Sequence, residues 1–118
     1  MISVNSISVA RGAKPVIKDF SAEFKAGTIT AIIGPSICGP CYEVSQEIHD
    51  EVVALHPAAV AVTPQGTPAL DLPAALRAVL ESAGIPILDE SRCTLENTDL
   101  YSYRRDGITG RQAGIISL

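Results

Sequence analysis

Residues 28–55 read TITAIIGPSICGPCYEVSQEIHDEVVAL, and three kinds of pattern follow one another within them. Thr28 to Ile33 is a short β-branched run, the signature of a buried strand. Residues 34–41, Gly-Pro-Ser-Ile-Cys-Gly-Pro-Cys, hold two Gly and two Pro, which forbid regular structure. From Glu43 onward Val44, Ile48, Val52 and Leu55 recur at spacings of four and three, one face of an α-helix. Glu43 and Glu47 favour the positive end of its dipole. His56-Pro57 ends it, because a residue before Pro avoids the helical region. Strand, irregular loop and helix in this order predict an α/β chain, with α+β as the alternative.

Upstream, Ile2, Val4, Ile7 and Val9 suggest a strand that ends at Arg11-Gly12. Ile17, Phe20, Ala22 and Phe24 suggest a second, closed by the turn signal Ala26-Gly27. The two read as a hairpin feeding a central strand at 28–33. Downstream, Ala59 to Thr63 is a short strand and Pro64 to Pro68 a loop. Asp71 is an N-cap for a second helix, with Pro73 in its first turn, Leu72, Leu76, Val79 and Leu80 on its apolar face and Gly84 just past its end. Ile85 to Leu88 reads as a strand and 89–99 as irregular. Leu100 to Arg104 alternates, Asp106-Gly107 is a hairpin-type turn, and Gly114 to Leu118 is a last apolar strand. The expected architecture is a mixed sheet with two main helices, in an incomplete domain.

The chain has 118 residues, 47% hydrophobic and 19% charged, with a net charge of −4. That balance suits one soluble domain and argues against a general nucleic-acid binder, whose affinity rests on neutralising phosphates. No apolar run reaches the length of a membrane span, and no secretory signal follows Met1, so a cytoplasmic protein is expected. Three Cys cannot make a complete disulfide framework. The charge is unevenly spread. Residues 1–41 carry four basic side chains against two acids, and residues 42–118 carry five Arg against eleven acids. A seam is expected between residues 30 and 40.

The loop at 34–41 invites two chemical readings. Gly34 and Gly39 have the G-x-x-x-x-G spacing of a phosphate loop, but Pro40 and Cys41 stand where Lys and Ser or Thr must hold phosphate and magnesium. Cys38-Gly39-Pro40-Cys41 is a C-x-x-C between strand and helix, the arrangement of a thioredoxin-like dithiol, for which Ile85-Pro86 offers a facing Pro. It is also half of a zinc site, without a second C-x-x-C or H-x-x-x-H to complete it. The plainest reading leaves both Cys as small apolar loop residues.

Two resemblances divide the chain. Residues 2–36, ISVNSISVARGAKPVIKDFSAEFKAGTITAIIGPS, resemble the opening strands of an ABC-transporter ATPase domain and stop where its phosphate chemistry begins. From about Ile32 to Leu118 the chain is similar to the C-terminal part of the laccase-domain family. That polyphenol-oxidase-like family is also described as multifunctional purine nucleoside phosphorylases and peptidoglycan-editing factors. The segments that carry this likeness are IGPSICGPCYEVSQEI at 33–48, GTPALDLPAALRAVLESAGI at 66–85, SRCT at 91–94 and LYSYRRDGITGRQAGIISL at 100–118. The resulting division is 1–33, ATPase-like strands, and 34–118, laccase-like, meeting at a junction in Ile-Ile-Gly-Pro-Ser.

The second resemblance implies an enzyme acting on purine nucleosides, by phosphorolysis or adenosine deamination, or on phenols, at a zinc or copper centre. It implies that this metal is held by two His and one Cys in H-A-G-W-R-G-like and D-C-x-P segments. Neither segment occurs here. His49 and His56 do not match those positions and read as solvated surface residues. The expectation is therefore a chain that binds no metal or other cofactor and is inactive alone. Its weak catalytic candidates are Cys93, Arg104, Arg105 and Arg111, the three Arg reading more readily as props for the hairpin than as anion clamps. Tyr42, Tyr101 and Tyr103 read as aromatics at the edge of the core. Expected partners are a small-molecule nucleoside and, through open sheet edges, a second copy of the chain, with no nucleic acid and no membrane.

Overall fold

The computed structural model describes residues 1–113 and forms two compact units, 1–30 and 31–118. The first is a single antiparallel hairpin, β1 (Ile2–Arg11) with β2 (Lys14–Phe24). Its register slips between Val4 and Ile7 and again between Ile7 and Val9. Ser6 and Asp19 take left-handed backbone conformations at φ 46° and 47°. Each donates its N–H at 2.9 Å to a serine Oγ on the opposite strand, Ser6 to Ser21 and Asp19 to Ser8. These are bulge residues whose donors are satisfied by side chains in place of the ladder. Ile2, Ile7, Val9 and Ile17 are exposed, so the hairpin has little core of its own.

The second unit is built from β3 (Ala31–Ile33), α1 (Gln46–Leu55), β4 (Val60–Val62), β5 (Pro68–Leu70), α2 (Leu72–Ser82), β6 (Ile87–Asp89) and a single helical turn, α3 (Tyr103–Asp106). β3 pairs with β6 in parallel and β4 with β5 antiparallel. Helices and strands of both pairing senses make the α/β class with two main helices. Among the described residues, however, the strands stand as three separate pairs, not as one mixed sheet. The buried apolar core among the described residues is small: Ile33, Ala59, Ala69 and Leu70.

Strand 28–33 is shorter than its β-branched run suggests. Thr28 turns its Oγ1 back to the Lys25 carbonyl at 2.8 Å, and pairing begins only where Ala31 N–H reaches the Pro86 carbonyl at 2.9 Å. Strand length is set by the partner, not by propensity. Among the described residues β3 pairs on one side only, with β6. The first helix starts at Gln46, not Glu43, because Ser45 caps it by accepting the Ile48 N–H at 3.3 Å. The second helix is as expected: Asp71 accepts the Ala74 N–H at 2.9 Å, Pro73 lies in the first turn, and Gly84 closes it at φ 68°.

The stretch 100–104 is not a strand and Asp106-Gly107 is not a hairpin turn. Ser102, buried, accepts the Arg105 N–H and caps α3, and Gly107 at φ 70° ends it. A local cap outweighs a short alternation that has no partner strand among the described residues. The strand expected at 114–118 lies outside the described residues.

Candidate functional site

The loop after β3 and the segment after β6 run side by side. Ser36 N–H donates to the Arg92 carbonyl at 3.1 Å, and Thr94 N–H returns to the Ser36 carbonyl at 3.0 Å. This bridge extends the parallel β3–β6 pairing by two short steps and sets Cys93 against Cys38. Cys38 N–H donates to Cys93 Sγ at 3.4 Å. The Gly39–Cys41 stretch then turns as one 3₁₀ step, with Cys41 N–H on the Cys38 carbonyl at 3.1 Å. Cys41 Sγ lies 3.6 Å from Glu96 Oε1.

All three cysteines of the chain thus meet at one place. One ligand atom from each of Cys38, Cys41, Cys93 and Glu96 lies within 4.8 Å of every other. The thiols are half-buried and Glu96 is exposed. Burial pushes the Cys41 thiol up to about 12, with the Cys38 and Cys93 sulfurs adding to the effect. Burial raises Cys38 as well, assisted by Cys93. Burial opposes ionisation of Cys93 too, but the backbone N–H groups of Cys38, Glu96 and Leu95 outweigh it and hold that thiol low. One thiolate is supported and its neighbours are suppressed, as expected of like charges crowded together.

This environment does not suit a thioredoxin-like dithiol. The helix that would lower a thiol's pKa begins at Gln46, beyond a cap of its own at Ser45, and Cys41 is shifted upward. The same displacement removes the helix N-terminus from the Gly34–Gly39 phosphate-loop spacing. Sequence reading missed the cluster because it looked for a second C-x-x-C. The available signal was Cys93-Thr94-Leu95-Glu96, a C-x-x-E with the same spacing.

Beside the cluster, Ser36, Cys38, Asp71, Pro73, Arg77, Ser91, Arg92 and Cys93 line a cavity of about 220 Å³. Its charged groups are engaged. Arg77 pairs with Asp89, Arg92 with Asp99 and Asn97, and Asp71 caps α2. Of the candidate residues, Cys93 reaches this cavity and the three Arg do not. Arg105 donates to the carbonyls of Thr94, Leu95, Asn97 and Leu100 at 2.9, 3.3, 3.2 and 2.7 Å and pairs with Asp106, which makes it a structural clamp. Arg104 lies over the Tyr42 ring, 4.9 Å from its centre, and donates to the Glu43 carbonyl at 3.0 Å. Arg111 is exposed.

The histidines do not form the two-His, one-Cys centre that the resemblance implies. His49 Nδ1 is engaged by Asp50 at 3.0 Å, and His56 is exposed at the end of α1. His49 is only 15% exposed, so it is not the solvated surface residue its sequence position suggested. Among the described residues no helix is long and apolar enough to cross a membrane.

Comparison with known proteins adds a family. The chain is 50% identical over 91 residues to a purine nucleoside phosphorylase of Streptomyces coelicolor, covering 76% of this chain and 38% of that protein. It is 40% identical over 107 residues to a purine nucleoside phosphorylase of Corynebacterium glutamicum, covering 90% and 44%. It is 36% identical over 116 residues to an adenosine deaminase from an unknown prokaryote, covering 86% and 42%. The chain therefore spans about two-fifths of the length of the curated relatives it matches. No solved structure matches it. The family pattern described as multi-copper polyphenol oxidoreductase laccase runs over residues 8–118, through most of the hairpin and all of the second unit, and the chain belongs to that family.

Proposed function

We propose that this chain is part of a laccase-type domain that acts on purine nucleosides, and that it does not turn them over by itself. The names of the relatives support the substrate class. The observation that carries the dependence on further chain is the state of the cavity: Arg77, Arg92 and Asp71 are all committed to internal partners, and no imidazole lines it. Among the described lining residues, no His and no uncommitted Asp or Glu is in position to move a proton to or from a bound nucleoside; the titratable groups left there are the Cys38 and Cys93 thiols of the sulfur cluster. Exposed apolar faces agree with this reading. Leu72, Leu76 and Val79 on α2 and Ile48 and Leu55 on α1 are 44–73% exposed, surface that further chain would cover. Open strand edges offer a second copy the same purchase. A cytoplasmic setting, which keeps thiols reduced, completes the reading.

The test is inosine phosphorolysis and adenosine deamination, by the chain alone and by the chain joined to the stretch of the Streptomyces coelicolor relative that it does not match. No turnover alone and turnover in the chimera are expected. Turnover by the chain alone refutes the dependence. An inert chimera beside an active intact relative refutes the substrate class.

We also propose that residues 1–33 and 34–118 have separate origins. The ATPase-like string at 2–36, the charge split and the division into units at Thr30 support this, while the family match from residue 8 weighs against it. The encoding locus decides: an intact H-A-G-W-R-G-like segment just upstream in another frame supports truncation of a longer gene, and laccase-type sequence continuous in frame into residue 1 refutes the junction.

A further inference from the structure

We propose that Cys38, Cys41, Cys93 and Glu96 form a structural zinc site that ties the loop after β3 to the segment after β6. The ligands come as two turns of equal spacing, Cys38-x-x-Cys41 and Cys93-x-x-Glu96. Each turn is closed by a backbone hydrogen bond, Cys41 N–H to the Cys38 carbonyl and Asn97 N–H to the Cys93 carbonyl, both at 3.1 Å. Asn97 Nδ2 adds a second bond to the Cys93 carbonyl at 2.7 Å. The Cys38 N–H on Cys93 Sγ already orients one sulfur from outside the ligand set's own side chains.

The dimensions suit a tetrahedral ion. Zinc–sulfur bonds of about 2.3 Å put sulfurs about 3.8 Å apart. Here all four ligand atoms lie within 4.8 Å of one another, and the Cys41 Sγ to Glu96 Oε1 edge is 3.6 Å. The widest spacing exceeds the ideal edge by about 1 Å. Three sulfurs select a thiophilic cation over magnesium or calcium, and a carboxylate in the fourth place favours zinc over copper(I). Four protein ligands leave no open position, the mark of a structural and not a catalytic ion. Binding is proton exchange without redox change: the thiols lose their protons to solvent as zinc–thiolate bonds form. The ligands are not the two-His, one-Cys set implied by the family resemblance, and the proposal stands whether or not the nucleoside reading does.

The experiment is elemental analysis of the full chain purified under reducing conditions, with cobalt(II) substitution as a second readout. One zinc per chain is expected, along with intense thiolate-to-cobalt charge-transfer and tetrahedral ligand-field bands. Cys93→Ser is expected to lose the metal. Glu96→Gln, which spares every thiol and the fold, is expected to weaken zinc at least tenfold with an unchanged circular-dichroism spectrum. The assignment is overturned by a metal-free chain with no cobalt–thiolate bands, by a Cys38–Cys41 disulfide under those conditions, by copper in place of zinc, by one zinc retained in Cys93→Ser, or by unchanged affinity in Glu96→Gln.

Discussion

Cys38 and Cys93 are fifty-five positions apart in the chain, yet the backbone N–H of the first rests on the sulfur of the second at 3.4 Å. That closeness gives stability a pH dependence whose sign reveals the state of the site. Cys41, raised by burial to about 12 from an ordinary 9.0, and Cys38, raised likewise, favour the fold as thiols. A raised pKa stabilises below the unfolded value and loses that contribution as pH climbs through the folded one. Without metal, Cys41 and Cys38 are expected to withdraw stability between about pH 9 and 12, against the smaller opposite contribution of Cys93, which is held low and favours the fold as a thiolate. With zinc the sign reverses, because ligands must be thiolates and acid competes for them. Urea titrations across pH, with and without a chelator, are expected to show this reversal. Identical profiles would contradict it.

Gly39 lies within the Cys38–Cys41 turn, with no room for a side chain. A Cβ there would stand 2.9 Å from the Asp71 Cβ and 3.2 Å from the Ala61 Cβ. Gly39→Ala is expected to destabilise the chain by about 1–3 kcal/mol, the ordinary cost of overpacking. Gly34→Ala, whose Cβ meets nothing within 4 Å, serves as the control. Thermal or urea denaturation of the pair measures the difference.

Arg105 fixes the irregular segment 94–100 by spanning four of its carbonyls. Arg105→Met is expected to speed amide exchange across that segment while leaving α1 and α2 protected. Arg105→Lys is expected to restore little, because a single ammonium cannot serve four acceptors spread along a planar fork. Hydrogen exchange read by mass spectrometry resolves the two variants.

Asp89 is held at about 2, from an ordinary 3.8, first by the Ser91 hydroxyl and backbone N–H and then by Arg77. A depressed carboxyl stabilises above its unfolded pKa and loses the effect as pH falls through the folded value. Asp89→Asn is therefore expected to be less stable than the parent at pH 7. The gap should close as pH drops from about 4 to about 2. A gap that persists at pH 2 would contradict the assignment.

Features settled within one turn of chain could be read directly. Asp71, Pro73 and Gly84 announce both ends of α2, and the structure uses each as its type suggests. Features settled by a distant partner could not. Thr28 and Thr30 carry strand propensity, and Leu100 to Arg104 alternates, but among the described residues neither stretch has a strand to meet. The cysteines show both cases. Cys38 and Cys41 were visible as a pair, and Cys93 was visible as a singular residue in Ser-Arg-Cys-Thr. Their meeting depends on a parallel pairing that spacing alone does not disclose.

The parallel pair itself is slight: Ala31 to Ile33 against Ile87 to Asp89, three rungs that close a detour containing both main helices. Such a closure sacrifices much chain entropy for few contacts, whereas α1, α2 and the β4–β5 pair need only near neighbours. The helices and the β4–β5 pair are therefore expected to assemble first and the two ends to join last, an order that pulse-labelled hydrogen exchange would check. On the way apart, that joint is expected to open before α1, α2 and the β4–β5 pair.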